Sequence, residues 1–293
     1  MLSIKNLSHT YANGVQALNQ VSLDISKGMF GLLGPNGAGK SSLMRTIATL
    51  QQPTQGQLRF GDVDVLSRPD ALRRVLGYLP QDFCVYPRGS AYDLLDHIAV
   101  LKGLTHGRER KKVVNHLLAE TNLYDVRHKR LATFSGGMRR RFGIAQALLG
   151  SPQLIIVDEP TAGLDPEERI RFHNLLAEIG EDIVVILSTH MIDDVTDLCS
   201  RMAVLTEGRV LLQGEPNGLI QNLKGKVWTR HIEKAQLSAY QRDHHLISSH
   251  LAGGRTQIRV LATNNTGSGF LPTEAQLADV YFSALKGMTS PGD

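Results

Sequence analysis

Apolar positions along the chain follow two periods. Residues 2 to 7 and 15 to 25 alternate apolar and polar, as a half-buried strand does, and Asn13-Gly14 between them is a hairpin signal. Phe30 to Leu33 is a short apolar strand running into a Gly-rich loop. The stretch after that loop, SSLMRTIATL, places Leu43, Ile47 and Leu50 on one helical face. Gln57 to Val65 reads as a second hairpin turning at Gly61-Asp62. From about Asp82 to Gly150 the period lengthens to that of a helix. Leu94, Leu95, Ile98 and Leu101 give one stripe, and Val113, Val114, Leu117 and Leu118 a second. Leu154 to Val157 and Ile183 to Leu187 are unbroken apolar runs of strand length. Between them Asp165 can cap a helix, with Pro166 in its first turn and Glu168 completing a capping box. Phe172, Leu175, Leu176 and Ile179 form that helix's apolar face, and Gly180 can end it.

Strands alternating with helices predict an α/β fold with a parallel sheet. The opening hairpins predict a small antiparallel β-subdomain, and residues 82–150 an inserted helical subdomain. The segment QGEPNGLIQNL, from Gln213 to Leu223, breaks the pattern. It predicts a main domain over residues 1–220 and a small α+β appendage over 221–293. In the appendage, Val227 to Ile232, His245 to His250 and Gln257 to Leu261 read as strands, and Glu274 to Leu285 as a helix.

Composition narrows the field without deciding it. The 293 residues are 42% hydrophobic and 20% charged, enough for a real core. Net charge is +4, too mild to argue for nucleic acid. Basic clusters at Arg108 to Lys112 and Arg139 to Arg141 read as solvated helix faces. Cys84 and Cys199 are far apart and form no CxxC, so a disulfide framework is not expected and a reducing cytosol fits. The first residues carry no apolar core of a signal peptide, and no apolar run approaches the ~20 residues needed to span a bilayer. Any membrane-spanning part must come from another chain. The eleven histidines sit in no HExxH or Cys/His pattern, and no transition-metal site is expected.

The chemistry lies in a few short motifs. GPNGAGKS matches the phosphate-loop pattern at Gly34, Gly39, Lys40 and Ser41. Its glycines let successive N–H groups face phosphate oxygens, and the following helix aims its positive end at the same anion. Lys40 adds a charge for the β- and γ-phosphates, and the Ser41 hydroxyl suits Mg²⁺. In LIIVDEP a buried strand ends in Asp158, placed to hold Mg²⁺, and Glu159, placed to orient and deprotonate water. Two ordinary acids at a strand end are the plain alternative, and the phosphate loop argues against it. Ser135, Gly136 and Gly137 open a helix carrying Phe142, Ala145 and Leu149. Ser135 is a natural N-cap there, and a helix N-terminus also suits an anion.

Five stretches occur in one order: GPNGAGKS, YLPQ (Tyr78 to Gln81), FSGGMRRR (Phe134 to Arg141), LIIVDEP and LSTH (Leu187 to His190). In that order the chain resembles the ATP-hydrolysing subunit of an ABC transporter over roughly residues 1–220. The resemblance implies a P-loop NTPase of ABC type that uses ATP and Mg²⁺. Gly34, Pro35, Asn36, Gly37, Ala38, Gly39, Lys40, Ser41 and Ser42 would form the phosphate loop. Ser135, Gly136 and Gly137 would be the signature that contacts the γ-phosphate held by a second subunit. Phe134 and Met138 stand where the family's usual motif has Leu and Gln. His190 by itself reads as a core histidine; the resemblance makes it the switch histidine that hydrogen-bonds the γ-phosphate. Gln81 carries no signal by itself, and the resemblance makes it the hinge glutamine that touches Mg²⁺ or water. Tyr11 would stack on adenine, against the alternative of packing on its own sheet. Asp165 matches the family's D-loop aspartate and also fits its capping role.

One nucleotide module and no long heptad insertion disfavour tandem translation factors and DNA-repair relatives. SGGMRRR, with ADVYFSAL near the C-terminus, is similar to the exporter ATPases of the drug- and antibiotic-resistance group. This implies a homodimer that works with a separate permease, cytoplasmic and peripheral on the inner face of the membrane, with no nucleic acid. A soluble ABC-type ATPase acting on nucleic acid or ribosomes is the alternative. A G protein or small-molecule kinase is disfavoured by the Ser-Gly-Gly motif and the lack of NKxD. Every phosphate motif lies before residue 191, so removing roughly residues 224–293 is expected to leave the nucleotide fold intact but to alter pairing or regulation.

Overall fold

The alternation of buried side chains along three central strands builds two cores on one sheet. The computed structural model describes residues 1–81, 89–161, 164–263 and 269–288. The first residues of the expected helical block, with Cys84, and most of the polar patch from Thr263 to Gly269 lie outside them. β1 (Leu2–Thr10) and β2 (Gln16–Ile25) pair antiparallel across the Asn13-Gly14 turn. β3 (Gly28–Leu33) then runs into the Gly-rich loop and α1 (Lys40–Ile47). β4 (Gln55–Phe60) and β5 (Val63–Asp64) complete a four-stranded antiparallel sheet in the order β2-β1-β4-β5. Leu50 does not join the helical face expected of it. α1 ends at Ile47, Thr49 takes a left-handed φ of 61°, and Leu50 turns out to solvent.

After α2 (Pro69–Arg73) comes β6 (Leu76–Leu79), then the helical insertion: α3 (Ala91–Leu101), α4 (Gly107–Glu120) and α5 (Gly136–Leu148). These three helices close around Leu95, Leu118, Leu131, Phe134 and Phe142. On α3 the buried positions are Ala91, Leu95 and Ala99, four residues apart. Leu101, six residues past Leu95, falls on the other side of the helix and is exposed.

β7 (Leu154–Asp158), α6 (Pro166–Ile179), β8 (Val184–Thr189) and α7 (Ile192–Leu198) follow. β9 (Arg201–Thr206) and β10 (Arg209–Gly214) form a hairpin that the sequence pattern did not signal. Its turn, Glu207-Gly208, has φ of 48° and 72°, the two positive values of a type I′ turn, with Glu in place of the usual Asn or Asp. The main sheet has the order β10-β9-β3-β8-β7-β6 and is parallel except for β10. Leu154, Ile156, Val184 and Ile186 face one way, against α1 and the antiparallel sheet. Ile155, Val157, Val185 and Leu187 face the other, against Phe172 and Leu176 of α6 and Val195 of α7.

α8 (Pro216–Gln221) leads to β11 (Val227–Ile232), α9 (Leu237–Asp243), β12 (Leu246–Ala252), β13 (Arg255–Leu261), β14 (Leu271–Pro272) and α10 (Leu277–Leu285). The last four strands form an antiparallel sheet, β12-β13-β11-β14. Arg259 clamps Asp279 with two 2.7 Å hydrogen bonds and fixes α10 to β13. Leu277, Val280 and Tyr281 of α10 share one core with Val195, Met202 and Leu187 of the main sheet layer. The appendage is therefore no detached tail, and its loss is expected to leave the nucleotide fold intact but less stable. Ending the chain at Leu223 exposes apolar surface on the main domain. Losing the burial of two such side chains costs about 3 kcal/mol, or roughly 6–12 °C in Tm. Calorimetry of residues 1–223 against the full chain measures this, and an unchanged Tm would mean the core is not shared.

Candidate functional site

The parallel register ends three strands at one level. Leu33 of β3 lies beside Thr189 of β8, and Asp158 of β7 beside Ser188 of β8. Ligands of open α/β sheets bind beyond such carboxyl ends. Here the loop Gly34, Pro35, Asn36, Gly37, Ala38 and Gly39 leaves β3, and Lys40, Ser41 and Ser42 open α1. Gly39 is left-handed, φ 103°, and a Cβ there would run into the Ala17 carbonyl oxygen. The β9–β10 turn braces the loop from the other side: Gly208 N–H donates to the Ala38 carbonyl at 3.0 Å.

Lys40 is buried, and its ammonium donates to the carbonyls of Gly34 at 2.7 Å and Pro35 at 3.1 Å. Burial lowers its pKa from the usual lysine value, and the charges of Glu159 and Asp158 oppose that shift. Burial raises the pKa of Asp158, opposed by the neighbouring hydroxyls of Ser188 and Ser41. Asp158 Oδ1 and Ser188 Oγ are buried with no hydrogen-bond partner among the described residues. An orphaned carboxylate oxygen beside the Ser41 hydroxyl is a hard-oxygen donor set, and these residues fit Mg²⁺.

Glu159 has a left-handed backbone, φ 47°, anchored by its N–H donating to the Ser188 carbonyl at 2.8 Å. A non-Gly residue in that region costs on the order of 1–2 kcal/mol. The kink turns Glu159 away from Asp158 and into the company of three other expected site residues. Its Oε1 lies 3.2 Å from His190 Nδ1 and 3.7 Å from Lys40 Nζ, and its Oε2 accepts from Gln81 Nε2 at 3.3 Å. Lys40, Gln81 and His190, far apart in sequence, thus meet on one carboxylate.

Tyr11 lies beside the first turn of α1. Its hydroxyl is 2.9 Å from Ser42 Oγ, and its ring stands edge-on to His9. Asp165 caps α6, accepting from Glu168 N–H at 2.8 Å. The capping box is only half made, because the Glu168 carboxylate pairs with Arg141 at 3.6 Å and Arg171 at 3.7 Å. Ser135 caps α5, accepting from Met138 N–H at 3.1 Å. Gly137 is buried against the Glu168 side chain, whereas Ser135 and Gly136 are exposed and a Cβ at Gly136 would meet nothing within 4 Å. Met138 packs into the helical core beside Phe134. Among the described residues no hydrogen bond or ion pair joins Ser135, Gly136 or Gly137 to the phosphate loop. Sequence reasoning missed Ser188 and the Glu168–Arg141 pair, since only strand register and helix packing bring them in.

The family model described as ABC transporter matches residues 18–162. The chain is 35% identical to the daunorubicin/doxorubicin resistance ATP-binding protein DrrA of Streptomyces peucetius, over 78% of this chain and 69% of that protein. It is 33% identical to the linearmycin resistance ATP-binding protein LnrL of Bacillus subtilis, over 77% of this chain and 72% of that protein. Among solved structures it is similar to the dimeric ATP-binding cassette MJ0796 in a post-hydrolysis state bound to ADP and Pi. The TM-score is 0.68 at 28% identity, over 73% of this chain and 98% of that one.

Lys40→Ala removes the ammonium that pairs with Glu159 and donates to the loop carbonyls of Gly34 and Pro35. A charge-assisted contact to phosphate is worth about 1.5–3 kcal/mol, so ATP affinity should fall tenfold or more. Titration with a fluorescent ATP analogue measures it, and near wild-type affinity would remove Lys40 from the phosphate site.

Proposed function

Because the chain belongs to the family of ABC transporter ATP-binding subunits, we propose that it powers a membrane exporter as a head-to-tail homodimer paired with a separate permease. The observation that carries the dimer is the split site. The phosphate loop and the γ-phosphate-facing groups converge on Glu159, while Ser135 and Gly136 lie exposed and unconnected to them. Two copies would sandwich two ATP molecules, each between the Gly34 to Ser42 loop of one and the Ser135 to Gly137 turn of the other. The relatives named for drug resistance support export. Among the described residues no helix is long and apolar enough to cross a membrane, and we assign the crossing to the permease. On this reading the protein would work at the cytoplasmic face of the membrane, docked on its permease. Nothing in the named relatives favours action on nucleic acid or ribosomes.

The chemistry follows from the groups in place. Loop N–H groups and Lys40 would hold the β- and γ-phosphates. Ser41, Asp158 and Gln81 would hold Mg²⁺, which neutralises phosphate charge when bound. Glu159 would take a proton from a water as that water's oxygen bonds to the γ-phosphorus and the bond to the ADP oxygen breaks. His190 would donate to the γ-phosphate, and Tyr11 would stack on adenine. Asp165 would meet the opposite subunit.

Glu159→Gln keeps a side chain that can orient water but cannot accept its proton. Turnover should fall by about 10²-fold or more with ATP binding retained, and the variant should accumulate as a dimer. Phosphate release and size-exclusion chromatography with Mg-ATP check both. Wild-type turnover would remove Glu159 as the base.

Gly136→Asp tests the sandwich, because the substitution has open space within its own chain. A charge facing the opposite γ-phosphate should leave ATP binding near wild type and abolish most hydrolysis. Mixing this variant with Lys40→Ala leaves one site with an intact loop facing an intact signature, so some activity should return unless both sites must fire. Normal hydrolysis by Gly136→Asp alone would end the head-to-tail mechanism.

A further inference from the structure

Asp194, in the first turn of α7, is fully buried. An ionised carboxylate in such a place survives only when its lone pairs are taken up. Its Oδ2 accepts from Thr161 Oγ1 at 2.6 Å and Thr189 Oγ1 at 2.9 Å. Its Oδ1 accepts from Arg169 Nε at 3.0 Å and lies 3.0 Å from His173 Nε2. Burial alone would raise its pKa; the bonds from His173, Thr161 and Thr189 and the charge of Arg169 outweigh that and hold it below the usual carboxylate range.

The partners come from three separate stretches of chain, each tied to a site residue. Thr161 follows the strained Glu159 by two residues. Thr189 immediately precedes His190, and its hydroxyl also accepts from Met191 N–H at 2.9 Å, so both flanks of His190 are held. Arg169 and His173 lie on α6, the helix that Asp165 caps. No other buried side chain among the described residues bonds to all three stretches.

We propose that Asp194 is a positioning residue for hydrolysis: one buried carboxylate sets the turn after Glu159, the strand end carrying His190 and the helix behind Asp165 in a single register. It rests on the reading of Glu159 and His190 as the pair that faces the γ-phosphate. A kink at a left-handed residue persists only if its surroundings over-determine it, and the Thr161 bond supplies a fixed point just beyond the kink. Asp194 touches no reacting atom. Its effect lies in orientation, where misplacement by about an ångström costs up to roughly 10²-fold in rate.

The test uses the full chain, with steady-state ATP hydrolysis and ATP affinity measured on each folded variant. Asp194→Asn keeps the shape but reverses the hydrogen-bonding sense of one side. Thr161→Val and Thr189→Val each remove one arm at constant volume, and Thr161→Ser and Thr189→Ser restore the hydroxyl. We expect kcat to fall about tenfold or more in Asp194→Asn and in each Val variant, with KM and ATP affinity within about twofold, and the Ser variants to recover most of the rate. A purely structural clamp would lower Tm and leave kcat per folded molecule unchanged, and that result would overturn the proposal. If Asp194→Asn does not fold, the Val and Ser pairs decide by the same criterion. Glu159→Gln and His190→Ala run alongside. If they lose turnover while the Asp194, Thr161 and Thr189 variants keep it, the positioning role is wrong. If they hydrolyse at the wild-type rate, the site reading fails and the proposal with it.

Discussion

The register between β3, β8 and β7 is the constraint on which the rest depends. All three strands are buried on both faces, and their backbones are fixed by parallel hydrogen bonds. A slip of one residue in β7 would exchange Ile155 and Val157 with Leu154 and Ile156 between the two cores. It would also move Asp158 off Ser188 and carry Glu159 out of reach of Lys40 and His190. The apolar packing that selects the register therefore sets the geometry of the charged groups beyond the strand ends. The site needs no separate scaffold.

Electrostatics then works against burial in a small volume. Lys40, Asp158 and Glu159 are all largely buried, a placement that disfavours each charge in isolation. Lys40 is tied down by carbonyls of its own loop and pairs with Glu159 at 3.7 Å. Asp158 is left with one buried oxygen, Oδ1, that has no hydrogen-bond partner among the described residues. That asymmetry separates two acids adjacent in sequence: Glu159 is held by the Lys40 ammonium, the Gln81 amide and the His190 ring, and Asp158 keeps one oxygen free among the described residues. The left-handed step at Glu159 makes the separation possible, since an extended residue there would continue the strand.

Most of the main sheet was legible because its strands are short unbroken apolar runs, and the phosphate loop because its spacing is fixed by chemistry. Helix faces were legible to within a turn: Leu50 and Leu101 fit the period but lie beyond the point where the backbone, at Thr49, or the helix axis carries it to the core. The β9–β10 hairpin was not legible, because Glu207 in a type I′ turn defies the usual Asn or Asp preference. Gln81, His190 and Tyr11 were placed by resemblance, and no local pattern marks them. Ser188 and Asp194 were invisible for a different reason. Their roles exist only through pairs 30 residues or so apart, Asp158 with Ser188 and Thr161 with Asp194, which strand register and helix docking create.

The glycines separate what the single chain explains from what it does not. At Gly39 the left-handed φ and the Ala17 carbonyl account for glycine with no reference to a ligand. At Gly137 the Glu168 carboxylate occupies the place of a side chain, and that carboxylate is held by Arg141 and Arg171. The first is a requirement of the fold, and the second packs against a side chain of the same subunit. Gly136, between a capping serine and a packed glycine, has ordinary backbone and open space around it. Alanine would fit there and would favour the helix by up to about 1 kcal/mol. In the proposed dimer a glycine here would let the backbone of the turn come close to the nucleotide of the other copy. The N-terminus of α5 would favour an anionic group there. In such a dimer the Ser-Gly-Gly turn would divide within itself: Gly137 packs within its own subunit, and Gly136 would face the phosphate that the other copy holds.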